Sequence, residues 1–324
     1  RRDLTINSIA YDLDTKEYID PFDGIKDIQS KTLRHTSRFF SYDPIRILRL
    51  ARFISQYSDF KIAEETKTLC VKISKDQNLY RDIQGERFLL EFKKVLSLNN
   101  SNVFFEQLKE FGTLKLFFEE LSRLEGVPQR KEYHPEGDCW VHTMLVLEQA
   151  SRLSDSFSIR FSSLVHDLGK GITPKDVLPS HIKHEVNGVP LVKDVCKRFK
   201  LDSYTEKLAL AVCKNHLLVH QVFELKPSKI YDLLVSFNAL REGTLFADAL
   251  ICCMADARGR GKEYENKDYP QRDFLLGVAE DLRSMNIDDL KEKYEGKKLG
   301  DMIREKRISI IKKGKNTRSQ KVAK

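Results

Sequence analysis

Apolar residues in DPIRILRLARF, residues 43–53, return every third or fourth position. Ile45, Leu48 and Ala51, with Leu50 and Ile54 one step round, form a helical stripe. Asp43-Pro44 in front of it supplies a capping acid and the proline favoured at a first helical position. The same period predicts helices over 62–75, 86–97, 101–111 and 113–125. Before residue 36 the pattern is different. SIAYDLDTKEYIDPFDGIKD alternates and then breaks at Asp20-Pro21 and Asp23-Gly24, the one convincing strand territory. EGVPQRKEYHPEGD (125–138) is rich in Gly, Pro and charge and reads as a linker or an ordered loop. A second helical block covers 139–256, interrupted by a long loop over 170–187. From Lys291 a basic helix trails into KKGKNTRSQKVAK, with a disordered tip expected. No repeat recurs at a fixed period. The expected fold is mainly α.

Length and composition narrow this further. The 324 residues are too many for one comfortable core, so two or three domains are expected. With 41% hydrophobic and 10% aromatic residues the chain can bury a core, which excludes wholesale disorder. No apolar run approaches the roughly 20 residues of a membrane helix. Six cysteines include no CxxC pair, and Cys252 and Cys253 are adjacent, so reduced thiols and a cytoplasmic location are expected. A net charge of +8 fits a polyanionic partner but is weak evidence alone. The chain opens on Arg1, inside a charged motif, which reads as a fragment of a longer protein.

Arg46, Arg49 and Arg52 recur every third residue and fall within about a third of the helix circumference. The plainer reading is a solvated basic face. The functional one is that planar guanidinium forks suit triphosphate oxygens or a base edge better than lysines do. Asp43, one turn before Arg46, adds an acceptor to those donors; its plainer role is capping the helix.

RRDLTINSIA, DPFDG and DPIRILRLARF together resemble the class II tRNA nucleotidyltransferase and poly(A) polymerase family. The resemblance implies that Arg2 binds phosphate and Asp3 senses the ribose. It makes Asp43 and Arg46 the base-reading pair and assigns the triphosphate to Arg49 and Arg52. One position departs: Tyr42 stands where the family's EDxxR motif has the glutamate that fixes the arginine. In that family the Gly-Gly phosphate loop and the carboxylates that hold Mg²⁺ precede the RRD element. Asp12, Asp14, Asp20 and Asp23 sit in turn contexts and read as structural. This chain by itself is therefore not expected to add nucleotides.

Seven of the eight histidines lie between residues 134 and 220. A lone histidine is more often structural than a ligand, and the arrangement says more than any member. His142 sits in the apolar stretch CWVHTMLVLEQA, and His166-Asp167 ends IRFSSLVHDLGKG, where Gly169 and Gly171 read as helix stops. His181 and His184 follow in a loop, His216 and His220 stand four apart on a helix, and Asp256 follows LICCMA. Imidazoles with carboxylates suit Ni²⁺, Zn²⁺, Mn²⁺ or Fe²⁺, whereas Mg²⁺ prefers oxygen.

This H…HD…D pattern resembles the HD phosphohydrolase superfamily. The resemblance implies a metal held by His142, His166, Asp167 and Asp256 that activates water against phosphorus, with His166 and Asp167 the catalytic pair. His184 and His216 complete a second metal site or steady the phosphate; His181 and His220 are weaker candidates. Lys170 either neutralises phosphate charge or is simply solvated. Both motif sets together, with DLGKGITP and ADARGRGKEYENKDYPQ, resemble the gammaproteobacterial-type CCA-adding branch. That implies CCA addition to tRNA 3′ ends from CTP and ATP, using Mg²⁺. It also implies phosphatase, 2′-nucleotidase and 2′,3′-cyclic phosphodiesterase activity at the HD site, with Ni²⁺ or another transition metal. The expected domains are a remnant of an α/β nucleotidyltransferase head (1–36), a helical neck and body (37–130), an HD domain (138–262) and a basic tail (263–324). A homodimer stays open. So do two alternatives, an HD hydrolase with a vestigial transferase half and a non-enzymatic RNA-binding remnant.

Overall fold

The computed structural model describes residues 2–76, 85–241, 243 and 245–322, with side chains as far as Lys315. Arg1 of the opening motif and the last two residues of the basic tail lie outside them.

The head remnant is small. β1 (Ala10–Tyr11) pairs antiparallel with β2 (Tyr18–Ile19), followed by α1 (Gly24–Gln29) and β3 (Thr32–Leu33). The strand reading of this stretch therefore gives way to a helix at residue 24. The Asp20 carboxylate accepts from the amides of Gly24 and Ile25 (2.8 and 2.9 Å), satisfying first-turn donors that the Asp-Gly step exposes. α2 (Ile45–Gln56) is the arginine helix. Strand structure also recurs beyond residue 36, because β4 (Lys61–Ile62) pairs parallel with β3, and α3 (Glu64–Ser74) starts two residues later than the apolar period indicates.

α4 (Glu86–Leu96) and α5 (Ser101–Glu110) pack on α2. The helix expected over 113–125 is two short turns, α6 (Leu114–Phe117) and α7 (Glu119–Ser122). Phe118 divides them at φ −137°, ψ 66°, and its ring enters a cluster with Phe92, Phe105 and Phe199. That burial outweighs helical continuity. The cluster also joins the two halves of the chain: Phe88 stacks on Phe199 at 4.7 Å, and Phe92 meets Phe161 edge-on. One apolar core thus runs from α2 into the second helical block.

That block comprises α8 (Cys139–Leu153), α9 (Phe157–Val165), α10 (His184–Arg198), α11 (Ser203–His220), α12 (Pro227–Ser236) and α13 (Leu245–Arg258). α14 (Pro270–Arg283), α15 (Asp288–Lys291) and α16 (Gly296–Val322) follow, with α16 lying across α12 and α14. The basic helix expected from Lys291 runs from Gly296 through Val322, and the last two residues of its tip lie outside the described residues. No helix among the described residues is long and apolar enough to cross a membrane.

A buried cation holds the two halves together. Arg160 on α9 is fully inaccessible, and its guanidinium donates to the carbonyls of Leu96 and Leu98 at and just beyond the end of α4 and of Ser151 and Ser154 at the end of α8. Four carbonyls at helix ends thus share one side chain.

Candidate metal centre and arginine pocket

The second helical block aims imidazoles at one point. Asp138 caps α8 by accepting from the Val141 amide, which sets the phase that turns His142 inward. His166 closes α9, with Asp167 beginning the 3₁₀ turn Leu168–Ile172. His184 is the first residue of α10 and not part of a loop; His216 lies on α11 and Asp256 on α13. All six are buried.

Backbone carbonyls fix the rings. The Nδ1 atoms of His142, His166, His184 and His216 donate to the carbonyls of Gly259 (3.1 Å), Ser163 (2.8 Å), His181 (2.8 Å) and Cys213 (3.0 Å). Each ring therefore turns Nε2 inward, the atom free to bind a cation once it carries no proton. His142 Nε2 is 3.7 Å and His166 Nε2 3.3 Å from Oδ2 of Asp167. His184 and His216 Nε2 lie 3.2 and 3.5 Å from its other oxygen, Oδ1. Asp256 faces the first pair, with Oδ1 3.1 Å from His142 Nε2 and Oδ2 3.7 Å from His166 Nε2. The HD carboxylate thus stands between two imidazole pairs. His142 Nε2, His166 Nε2 and Asp167 Oδ1 are buried without a hydrogen-bond partner, a costly state that one or two divalent cations would relieve. The donor set and its close convergence fit such a cation.

The electrostatics follow from crowding. Burial opposes charge on His142, but Asp256 and Glu136 outweigh it and push the ring up to about 9. His216, dominated by burial, falls to about 3. Burial also opposes charge on Asp167 and Asp256, yet neighbouring His166, Lys170 and His220 hold both carboxyls well below the ordinary range.

Gly169 and Gly171 do not stop α9. A Cβ on Gly169 would sit 2.1 Å from the His184 carbonyl oxygen and 2.7 Å from the Gly188 amide, so the glycine lets the HD turn press against α10. The two weaker candidates have both ring nitrogens on protein partners. His220 takes the Tyr269 hydroxyl on Nδ1 (2.8 Å) and gives Nε2–H to Asp256 (2.7 Å), orienting that carboxylate. His181 ties Thr173 to the Pro128 carbonyl. Lys170 is not solvated: it is buried, 2.6 Å from Asp167 and 2.7 Å from Gln129. Sequence reasoning missed His134 and Glu136, which stand beside His142 in the loop before α8. Only their position ahead of the capping aspartate marks them.

The second site is a cavity of about 350 Å³ beside α2 and α4. Arg2, Asp3, Asp43, Arg46 and Arg49 line it, joined by Arg87, Glu91 and Lys94 of α4. Those three recur at one-turn spacing in the sequence, a signal that α4 offered and the motif reading passed over. Asp43 does not cap α2 with its side chain; it accepts from Arg87 at 2.6 Å. Arg46 donates to the Phe39 carbonyl, and exposed Tyr42 packs edge-on against the Phe39 ring (5.2 Å). Arg49 bridges Asp3 (2.6 Å) and Glu91 (3.1 Å). Arg52 is apart from the cavity: it is buried, 2.8 Å from Glu91, and stacks on Phe53.

The fold and these two sites define a nucleotidyltransferase-type chain joined to an HD-type metal pocket. The Poly A polymerase head domain family matches residues 1–34, the probable RNA and SrmB-binding site of polymerase A matches 59–124, and the HD domain matches 140–257. The multifunctional CCA protein of Acinetobacter baumannii (strain AYE) is 41% identical over 318 residues, covering 98% of this chain and 76% of the relative. That of Pseudoalteromonas atlantica is 40% identical over 314 residues, covering 96% and 77%. The chain belongs to the multifunctional CCA protein family. Among solved structures, a CCA-adding enzyme with ATP aligns at TM-score 0.63 and 19% identity, over 96% of this chain and 66% of that one. The Thermotoga maritima CCA-adding enzyme complexed with tRNA aligns at 0.62 and 19%, over 98% and 72%. These share the fold.

Proposed function

We propose that the histidine pocket is a divalent-metal phosphohydrolase acting on phosphate at RNA 3′ ends, as 2′,3′-cyclic phosphates or 2′-nucleotides. The arginine pocket is the CTP and ATP site for adding and repairing the CCA end of tRNA. The observation that carries the hydrolase reading is Asp167, whose two oxygens each face a pair of buried Nε2 atoms. A cation in such a set supplies Lewis acidity toward a phosphoryl oxygen. Ni²⁺, Mn²⁺, Zn²⁺ or Fe²⁺ matches four imidazoles and two carboxylates better than Mg²⁺ does. His142, His166, Asp167 and Asp256 hold it, with His184 and His216 holding a second; Lys170 compensates Asp167 beside them.

In the arginine pocket, five cations against three carboxylates favour a triphosphate. Arg2, Arg46 and Arg49 are its contacts, and Asp43 with Arg46 reads the base. Arg52 acts through Glu91, as a positioning residue. The three acids lining this pocket are each committed to a guanidinium, so they do not fit the Mg²⁺ pair of nucleotidyl transfer. The hydrolase half is tested by bis-p-nitrophenyl phosphate turnover with Ni²⁺. Asp167→Ala should lose at least about 100-fold; equal rates in the two proteins would remove the assignment.

A further inference from the structure

The loop ahead of α8 forms a wall of the metal pocket that no family motif accounts for. It is ordered by the antiparallel bridge between Pro128 and Asp138, by the Gln129 amide donating to the Gly137 carbonyl (2.9 Å), and by the Lys170 ammonium on the Gln129 side-chain oxygen. Glu136 sits at its inner edge with a side chain only 3% exposed. One of its oxygens, Oε1, is 2.7 Å from His142 Nδ1 and 2.9 Å from His134 Nδ1. The other, Oε2, is buried without a hydrogen-bond partner. The two rings meet edge to face with centroids 4.7 Å apart.

A carboxylate buried at this cost needs a reason, and its neighbour supplies one. His142 reaches the cation with Nε2, so its Nδ1–H must be held outward. The Gly259 carbonyl takes that proton at 3.1 Å, and Glu136 approaches the same nitrogen more closely. We infer that Glu136 is a positioning residue for the metal ligand His142, and that His134 braces Glu136 without binding the cation. Two acceptors on one N–H fix both the tautomer and the rotation of the imidazole, the part that outer partners play in metal sites. His134 donates its own Nδ1–H to the shared oxygen and packs its edge on the ligand ring, which limits the carboxylate to one rotamer. The loop and the metal pocket are therefore a single unit, closed when Asp138 caps α8.

The inference rests on the metal reading above, and its test separates the two. Co²⁺ is titrated into the full chain, reading affinity and the visible absorption of the bound ion, which reports ligand geometry. Glu136→Ala should weaken binding by about 10- to 100-fold and shift the absorption. Glu136→Gln, which keeps an acceptor of the same shape, should recover part of the loss; it also serves should the alanine variant fail to fold, judged by its melting transition. His134→Ala should weaken binding less than Glu136→Ala does. Wild-type affinity and spectrum in both Glu136 variants, alongside lost binding in Asp167→Ala, would overturn the positioning role and leave the metal site standing. A His134→Ala loss as large as that of His142→Ala would make His134 a ligand and overturn the assignment equally. Absence of Co²⁺ binding in the wild type would sink the metal reading itself, and the positioning role with it.

Discussion

The ammonium of Lys170 lies 2.6 Å from Oδ2 of Asp167, one turn away on the same short segment, with both side chains buried. The lysine holds a charge beside the carboxylate that also faces four imidazole nitrogens. It thereby compensates Asp167 at the oxygen that also faces His142 and His166.

Removing that charge strands a buried carboxylate. Lys170→Met should destabilise metal-free protein by about 3 kcal/mol. Saturating Mn²⁺ should narrow the deficit, because the ion takes over part of the compensation. Melting curves in EDTA and in Mn²⁺ check this; an equal loss in both would mean that the cation and the lysine do not share Asp167.

Metal uptake should expel protons. With His142 raised to about 9, the metal-free ring is charged at pH 7.5, and a cation on Nε2 must displace that proton. Calorimetric titration in two buffers of different ionisation enthalpy should show release of about one proton per chain. The same shift sets a stability window. A histidine raised in the folded state contributes fully below its ordinary 6.5 and loses that contribution as pH rises through about 9. Denaturant midpoints of EDTA-treated protein should accordingly fall between those values, and a flat profile there would exclude a charged His142.

The two ends of the arginine row should behave differently. Arg52 is buried against Glu91, so Arg52→Ala should cost about 3 kcal/mol of stability. Arg2 is exposed, and Arg2→Ala should leave stability within about 0.5 kcal/mol while weakening ATP and CTP binding alike. Arg46→Ala should instead alter the preference between the two nucleotides. Equilibrium binding of both nucleotides, with a melt for each variant, distinguishes these outcomes.

Gly169 tests how closely the HD turn must meet α10. Its added methyl would meet backbone on two sides, at the His184 carbonyl and the Gly188 amide, and neither can swing away. Gly169→Ala should cost more than about 4 kcal/mol, and the folded fraction should bind divalent metal more weakly. An alanine variant with wild-type stability would show that the two segments separate freely.

What the sequence determined by itself is what rides on local period and residue chemistry. The apolar spacing located α2, α4, α5 and the second helical block, and the histidines, HD pair and Asp256 were candidates from their residue types and helical settings. Only the tertiary structure decided what depends on neighbours distant in the chain. Phe118 breaks a periodic helix because its ring belongs to a core built partly by Phe199. Arg52 leaves the nucleotide pocket because Glu91 meets it from another helix. His220 spends both nitrogens on partners 36 and 49 residues away, and His181 spends Nε2 on one 53 residues away, which no spacing rule encodes. Glu136 acquires a role only once α8 carries His142 past it. Periodicity fixes which face a side chain takes, whereas its charge state and its availability to a ligand are set by whatever the fold packs against that face.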